Sequence, residues 1–202
     1  MIAVVDYGVG NLFSLSASLD YLALDTKITS DADEIRSADK IILPGVGAFQ
    51  PAMDRLLKSG LKEVIDEEVK NGKLLLGICL GMQLLFETSH EYGIHKGLGY
   101  IKGDVVGMNG RVKPETKVPH MGWNKLSIKR DDPILKYIKD GDYVYFVHSY
   151  FASNCDDAIV ASVDYDVTIP AIVNCRNVYG TQFHPEKSSD VGLGLLRAFD
   201  EL

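Results

Sequence analysis

The chain has little of what marks several large classes of protein. Only three of its 202 residues are cysteine, Cys79, Cys155 and Cys175. An odd number without C-x-x-C spacing argues against a disulfide frame and against a structural metal, and leaves free thiols. No run of lysine or arginine is long enough to follow a line of phosphates, and acidic residues outnumber basic ones 28 to 21, for a formal charge of −7. Nucleic acid is therefore not expected as a partner. No apolar run approaches the ~18 residues of a membrane span. The opening Met1-Ile2-Ala3-Val4-Val5-Asp6 reaches an acidic residue before a signal-peptide core can form, so no membrane and a cytoplasmic location are expected. Low-complexity segments, internal repeats and linkers are missing too, and a chain of this length fits one core. A single domain over residues 1–202 is expected.

What is present reads as alternating strands and helices. Ile2 to Val5 is a short β-branched run ending in a glycine-punctuated turn, and Leu12 to Leu24 carries apolar residues at helical spacing. Thr26–Thr29 and Lys40–Leu43 read as strands, Asp31–Ala38 and Met53–Val69 as helices, the last stopped at Asn71-Gly72. Leu74 to Ile78 is another buried strand, running into Cys79 and a helical stretch from Met82 to Phe86. This order predicts a mostly parallel central sheet with helices on both faces. In the second half, Tyr143–Phe151, Ala158–Asp164, Ala171–Cys175 and Val178–Phe183 read as strands on short connections, an antiparallel or mixed extension of the sheet, with a last helix at Val191–Phe199. The fold class is α/β.

The sharpest local signal is Gly77-Ile78-Cys79-Leu80-Gly81, a reactive-type residue between glycines at a strand-to-helix junction. That is a nucleophile elbow with cysteine in place of serine. The helix amino end favours a thiolate there, and the Leu80 N–H is free to hold a developing oxyanion. A buried cysteine among packing glycines is the plainer alternative. A second motif weighs against it: Phe183-His184-Pro185-Glu186. Residues two apart on an extended segment share a side, so Glu186 can orient His184 and His184 can take the thiol proton. A metal or zinc-deaminase reading of His-x-Glu needs a following cysteine pair, which this chain lacks. Pro44-Gly45-Val46-Gly47 ends the third strand, and an N–H from Val46 or Gly47 could complete the oxyanion hole. Gly8-Val9-Gly10 hints at a dinucleotide fingerprint, but its third glycine position holds Phe13.

Together these segments resemble the class I, triad-type glutamine amidotransferases, and within them the glutaminase subunits of imidazole glycerol phosphate synthases. The resemblance runs over the whole chain, through Asp6-Tyr7-Gly8-Val9-Gly10-Asn11-Leu12, Leu43-Pro44-Gly45-Val46-Gly47-Ala48-Phe49, the elbow with Met82-Gln83-Leu84-Leu85, Pro119-His120-Met121-Gly122-Trp123-Asn124, Phe146-Val147-His148-Ser149-Tyr150 and Gln182 to Ser188. It implies that Cys79, His184 and Glu186 hydrolyse L-glutamine through a glutamyl thioester, without cofactor or metal. It also implies that Gly47, Gln83, Glu91, Ser149 and Tyr150 bind the substrate, with Glu91 facing the α-amino group. The implied partner is a separate (β/α)8-barrel cyclase in a heterodimer, which uses the ammonia to make imidazole glycerol phosphate in histidine biosynthesis. Asn11, Met121, Trp123, Tyr145 and Lys187 would lie at that interface, with Trp123, the only tryptophan, as an anchor in a glycine-flanked loop. The same resemblance implies weak glutaminase activity until the cyclase holds its ligand, and the glycine placement suggests that rotation of the Gly45–Val46 peptide carries part of that switch. A paralogue supplying ammonia to a sugar- or polysaccharide-modifying amidotransferase is the alternative that the motifs leave open.

Overall fold

The computed structural model describes residues 1–202. Fourteen strands and six helices follow one another. The first half carries β1 (Ile2–Val5), α1 (Leu12–Tyr21), β2 (Thr26–Thr29), α2 (Ala32–Ser37), β3 (Lys40–Gly45), α3 (Phe49–Lys58), α4 (Leu61–Lys70), β4 (Leu74–Cys79) and α5 (Leu80–Leu84). Then come β5 (Phe86–Ser89), β6 (His95–Lys96), β7 (Ile101–Gly107), β8 (His120–Lys125), β9 (Ser127–Ile128), β10 (Tyr143–His148) and β11 (Tyr150–Ser153). The chain closes with β12 (Ile159–Asp164), β13 (Thr168–Cys175), β14 (Val178–Thr181) and α6 (Ser189–Asp200).

The central sheet has eight strands in the order β2-β1-β3-β4-β14-β13-β12-β9. Its β2 to β14 side is parallel, and β13, β12 and β9 extend it antiparallel. The expected α/β sheet with a mixed extension is therefore the fold. Its inner strands β1, β3 and β4 read as apolar runs because both faces are covered, whereas the edge strand β2 exposes Lys27 and Ile28. Along β1 the side chains alternate: Ile2 and Val4 join α1 and α6 in one core layer, with Leu15, Leu19, Leu195 and Phe199. Ala3 and Val5 face the other layer, with Phe49, Met53 and Leu56 of α3 and Val64 and Ile65 of α4.

Two smaller sheets stand beside it, a ribbon of β8 and β10 and a four-stranded sheet in the order β11-β7-β5-β6. Tyr143–Phe151 is thus not one strand. It splits at Ser149, β10 pairing with β8 and β11 with β7. The expected helix Met53–Val69 is likewise two helices, broken where Gly60 takes φ +72°, a conformation that glycine adopts without strain. The stretch after Cys79 is helical from Leu80 to Leu84, and Phe86 already begins a strand. No helix is long and apolar enough to cross a membrane.

Candidate active site

Cys79 is the last residue of β4 and the cap of α5, at φ +54° and ψ −108°. A non-glycine residue rarely holds that conformation, and such outliers concentrate at functional sites. The flanking glycines make it possible by proximity. A Cβ on Gly77 would stand 2.7 Å from the Gly81 carbonyl oxygen and the Met82 nitrogen, and one on Gly81 only 1.9 Å from the Leu43 carbonyl oxygen. The elbow is wedged against the end of β3, where Gly45 lies equally close to the Gly81 nitrogen, 2.8 Å from where its Cβ would be. Tyr7 steadies this strand end, its hydroxyl donating to the Pro44 carbonyl at 2.8 Å. Leu80 opens α5, so its N–H has no acceptor within the helix.

Beyond β14, His184 sits in extended backbone and Pro185–Lys187 forms a single 3-10 turn. The expected extended His-Pro-Glu segment is thus a turn, yet it still brings the pair together: His184 Nδ1 lies 2.8 Å from Glu186 Oε1, both side chains almost wholly buried. The turn is held from both ends. The Ser188 hydroxyl donates to the His184 carbonyl at 2.7 Å and accepts the Tyr145 N–H at 3.0 Å, while the His184 N–H reaches the Tyr145 carbonyl at 3.1 Å. Burial opposes a charge on the ring, but the neighbouring Cys79 and Glu186 outweigh it, and the His184 pKa is pushed up to about 9. Glu186 Oε2 is buried and accepts no hydrogen bond from the protein.

Cys79 and His184 open on one cavity of about 430 Å³. Val46, Gly47, Leu80, Gln83, Glu91, Ser149 and Tyr150 all line it, so every residue that the sequence nominated for the oxyanion and the substrate faces the sulfur's cavity. Gly47 is at φ +96° with nothing near its missing side chain. Glu91 does more than face the cavity: its Oε2 accepts the Phe49 N–H at 2.6 Å, a carboxylate on the first turn of α3, where the helix dipole favours it. The Ser149 crossing between two sheets is what carries Ser149 and Tyr150 to the wall.

The interface candidates divide. Trp123 lies on strand β8, not in a loop, opposite Tyr145 of β10, with ring centroids 6.0 Å apart. Met121, two residues away on the same face, is 62% exposed and Trp123 53%. Lys187 stands at the cavity wall. Asn11 caps α1, its Nδ2 donating to the Ser14 hydroxyl at 2.9 Å, and lines a small void beside His184 and Glu186. Sequence reasoning passed over five residues, among them Val147 at the cavity wall. Tyr92 and Pro119 line the cavity, Gln182 places its Nε2 3.9 Å from the Cys79 sulfur, and His148 is both at the wall and buried. Only their positions inside quoted motifs could have flagged the last two.

A doubly covered sheet carrying a cysteine elbow against a buried His-Glu pair defines a glutamine amidotransferase. The family model for glutamine amidotransferase class-I matches residues 3–199, and the chain belongs to that family. Imidazole glycerol phosphate synthase subunit HisH of Caldanaerobacter subterraneus is 51% identical over 100% of this chain and 98% of its own length. The subunit HisH of Bacillus licheniformis is 50% identical over 100% and 96%. Among solved structures, PurLQS from Thermotoga maritima superposes with TM-score 0.74 over 98% of this chain and 96% of that one, at 20% identity, a likeness of fold. Within the family the chain is of the HisH type, a glutamine amidotransferase subunit.

Proposed function

We propose that residues 1–202 act as one glutaminase domain in which Cys79 is the nucleophile, His184 the proton carrier and Glu186 its orienting carboxylate. Cys79 Sγ attacks the carboxamide carbon of L-glutamine, and the carbonyl oxygen becomes an oxyanion received by the Leu80 N–H and an N–H of Val46 or Gly47. His184 gives a proton to the departing nitrogen, ammonia leaves, and a glutamyl thioester remains. Water then attacks the thioester, His184 takes its proton, and glutamate departs as the sulfur is released. Gln83, Glu91, Ser149 and Tyr150 hold the amino-acid end. A carboxylate such as Glu91 suits an ammonium, and amide and backbone groups suit its polar neighbours. The observation that carries this reading is the 2.8 Å contact between His184 Nδ1 and Glu186 Oε1, which leaves Nε2 as the working nitrogen.

The ammonia goes to a (β/α)8-barrel cyclase subunit that makes imidazole glycerol phosphate in histidine biosynthesis. In bulk water at neutral pH it would be captured as ammonium, a poor nucleophile, so delivery calls for a docked partner. The face that exposes Met121 and Trp123 and carries half-buried Tyr145, with Lys187 and Asn11 nearby on the His184 side, is where the cyclase would sit. Rotation of the Gly45–Val46 peptide is part of how the docked, ligand-bearing cyclase raises activity. Glutamate release from L-glutamine is the test, measured with the chain alone and with the cyclase plus its ribonucleotide ligand, with Cys79→Ala as blank. Release that depends on the ligand and vanishes in the variant is expected. Release persisting in Cys79→Ala would remove the nucleophile assignment, and release indifferent to the cyclase would move the partner elsewhere.

A further inference from the structure

Two buried histidines take no part in the chemistry above. His120 on β8 and His148 on β10 are a directly opposed cross-strand pair, 3% and 7% exposed. The His120 ring is stacked between Phe146 at 4.7 Å and Tyr165 at 4.0 Å. His148 Nδ1 lies 2.8 Å from the Tyr150 carbonyl oxygen, and His148 Nε2 lies 3.1 Å from His120 Nδ1. A carbonyl only accepts, so the His148 proton sits on Nδ1. Its Nε2 is then the acceptor, and the proton between the rings belongs to His120 Nδ1. Each ring is confined to one neutral tautomer, since a second proton on His148 would face an N–H. Burial acts in the same direction, lowering His148 to about 3 and His120 to about 4.

The Tyr150 carbonyl is where this pair reaches the cavity. It also accepts from Gln83 Nε2 at 2.9 Å, and that nitrogen donates again to Gln182 Oε1 at 3.0 Å. Both Gln83 amide hydrogens are thereby used. Its Oε1 has no partner within the protein, and Gln83 lines the cavity. Because Gln182 accepts through Oε1, its Nε2 is the atom turned to the Cys79 sulfur. One chain of donors and acceptors thus runs from His120 to the nucleophile, and a single acceptor, the Tyr150 oxygen, fixes which way both amides point.

We propose that His120 and His148 are positioning residues of the glutaminase site, a fixed pair of imidazoles that pins the Tyr150 carbonyl and so sets the Gln83 amide with its oxygen toward the substrate. The inference rests on the glutaminase reading given above. An acceptor at that point selects a donor on the ligand, an ammonium or an amide NH₂, and glutamine offers both. Without the His148 proton, Tyr150 sits on a segment crossing between two sheets with one anchor fewer. The Gln83 amide can then turn its NH₂ to the cavity, setting donor against donor.

Nitrogen-15 spectra of the imidazoles in the native chain at neutral pH come first. Two Nδ1–H neutral rings are expected, and an Nε2–H or charged form of either ring overturns the pair. The second measurement is glutamine kinetics in the complex with the cyclase. His148→Leu should raise KM about tenfold or more, the scale of one hydrogen bond to a buried group, with a smaller change in kcat. His148→Asn, whose Nδ2 can stand where Nδ1 stood, should bring KM back to within about threefold of the native value. Native KM in a folded His148→Leu, or no recovery in His148→Asn, overturns the proposal. If the leucine variant does not fold, the native spectra and the asparagine variant decide. Cys79→Ala in the same assay keeps the two readings apart: persisting release would sink the triad and leave the tautomers untouched.

Discussion

Replacing Glu186 by glutamine keeps the side chain's shape and removes its charge, and the consequence can be worked from the surroundings of His184. Burial resists protonation of that ring, but Cys79 and Glu186 raise its pKa from 6.5 to about 9. A gap of ~2.5 units is about 3 kcal/mol at about 1.4 kcal/mol per unit. The folded chain binds this proton more tightly than the unfolded one. Its contribution is therefore fully present below about pH 6.5, and is lost as pH rises through about 9. Cys79 and Glu186 share the effect, so Glu186→Gln should forfeit roughly half, about 1–2 kcal/mol. Urea unfolding of both proteins at pH 6 and at pH 10 reads it as a gap between them that narrows by about that amount at the higher pH. Other titrating groups cancel in this difference, and any constant cost of burying the new amide appears at both pH values. In the activity assay the same variant should lose about 10²–10⁴-fold in kcat. A stability gap of equal size at both pH values would refute the reasoning, because the carboxylate would then not be supporting a proton on His184.

Three further outcomes follow from the geometry. Gly81→Ala would press a methyl group to within 1.9 Å of the Leu43 carbonyl oxygen, a backbone atom of β3 that cannot swing aside, and should cost at least ~3 kcal/mol and abolish glutaminase activity. Gly60→Ala meets no atom within 4 Å and bears only its φ of +72°, so about 1 kcal/mol and intact activity are expected; equal melting temperatures for the two variants would contradict this account. Trp123→Ala should leave stability within about 1 kcal/mol and weaken cyclase binding about 10- to 100-fold by calorimetric titration. Unchanged affinity would take the ribbon face out of the interface.

The parallel half of the fold was legible because β1, β3 and β4 are short apolar runs buried on both faces, and the helices between them have a face to hide. The elbow was legible because a sharp turn between packed backbones admits only glycine at Gly77 and Gly81. Hydrophobic pattern failed where it stays continuous across a break. Met53 to Val69 keeps helical period through Gly60, and Tyr143 to Phe151 keeps strand character through Ser149, although the two pieces pair with different sheets. His184 and Glu186 were placed together for a reason that does not hold, since the turn and not extended backbone joins them. The hydrogen bonds of Gln182 and His148 connect residues far apart in sequence or depend on ring orientation, and local spacing carries neither.

The ribbon of β8 and β10 shows why the two kinds of information belong to one device. Strand alternation puts Met121, Trp123 and Tyr145 on one face and His120, Phe146 and His148 on the other. A shift of one residue in register would exchange the faces, placing imidazoles in solvent and the indole in the core. Register here is set from the buried side, by the stack of His120 between Phe146 and Tyr165 and by the bonds of Tyr145 to the His184 turn. The apolar face of Met121, Trp123 and Tyr145 is therefore held in place by the same contacts that hold the wall of the Cys79 cavity. A partner seated on Trp123 and Tyr145 would bear on two strands, one of which sends the His148 side chain to the Tyr150 carbonyl and bonds the His184 turn through the Tyr145 backbone. With the partner docked on this face as proposed, docking and catalysis would be joined through a layer one strand thick, with no long path required.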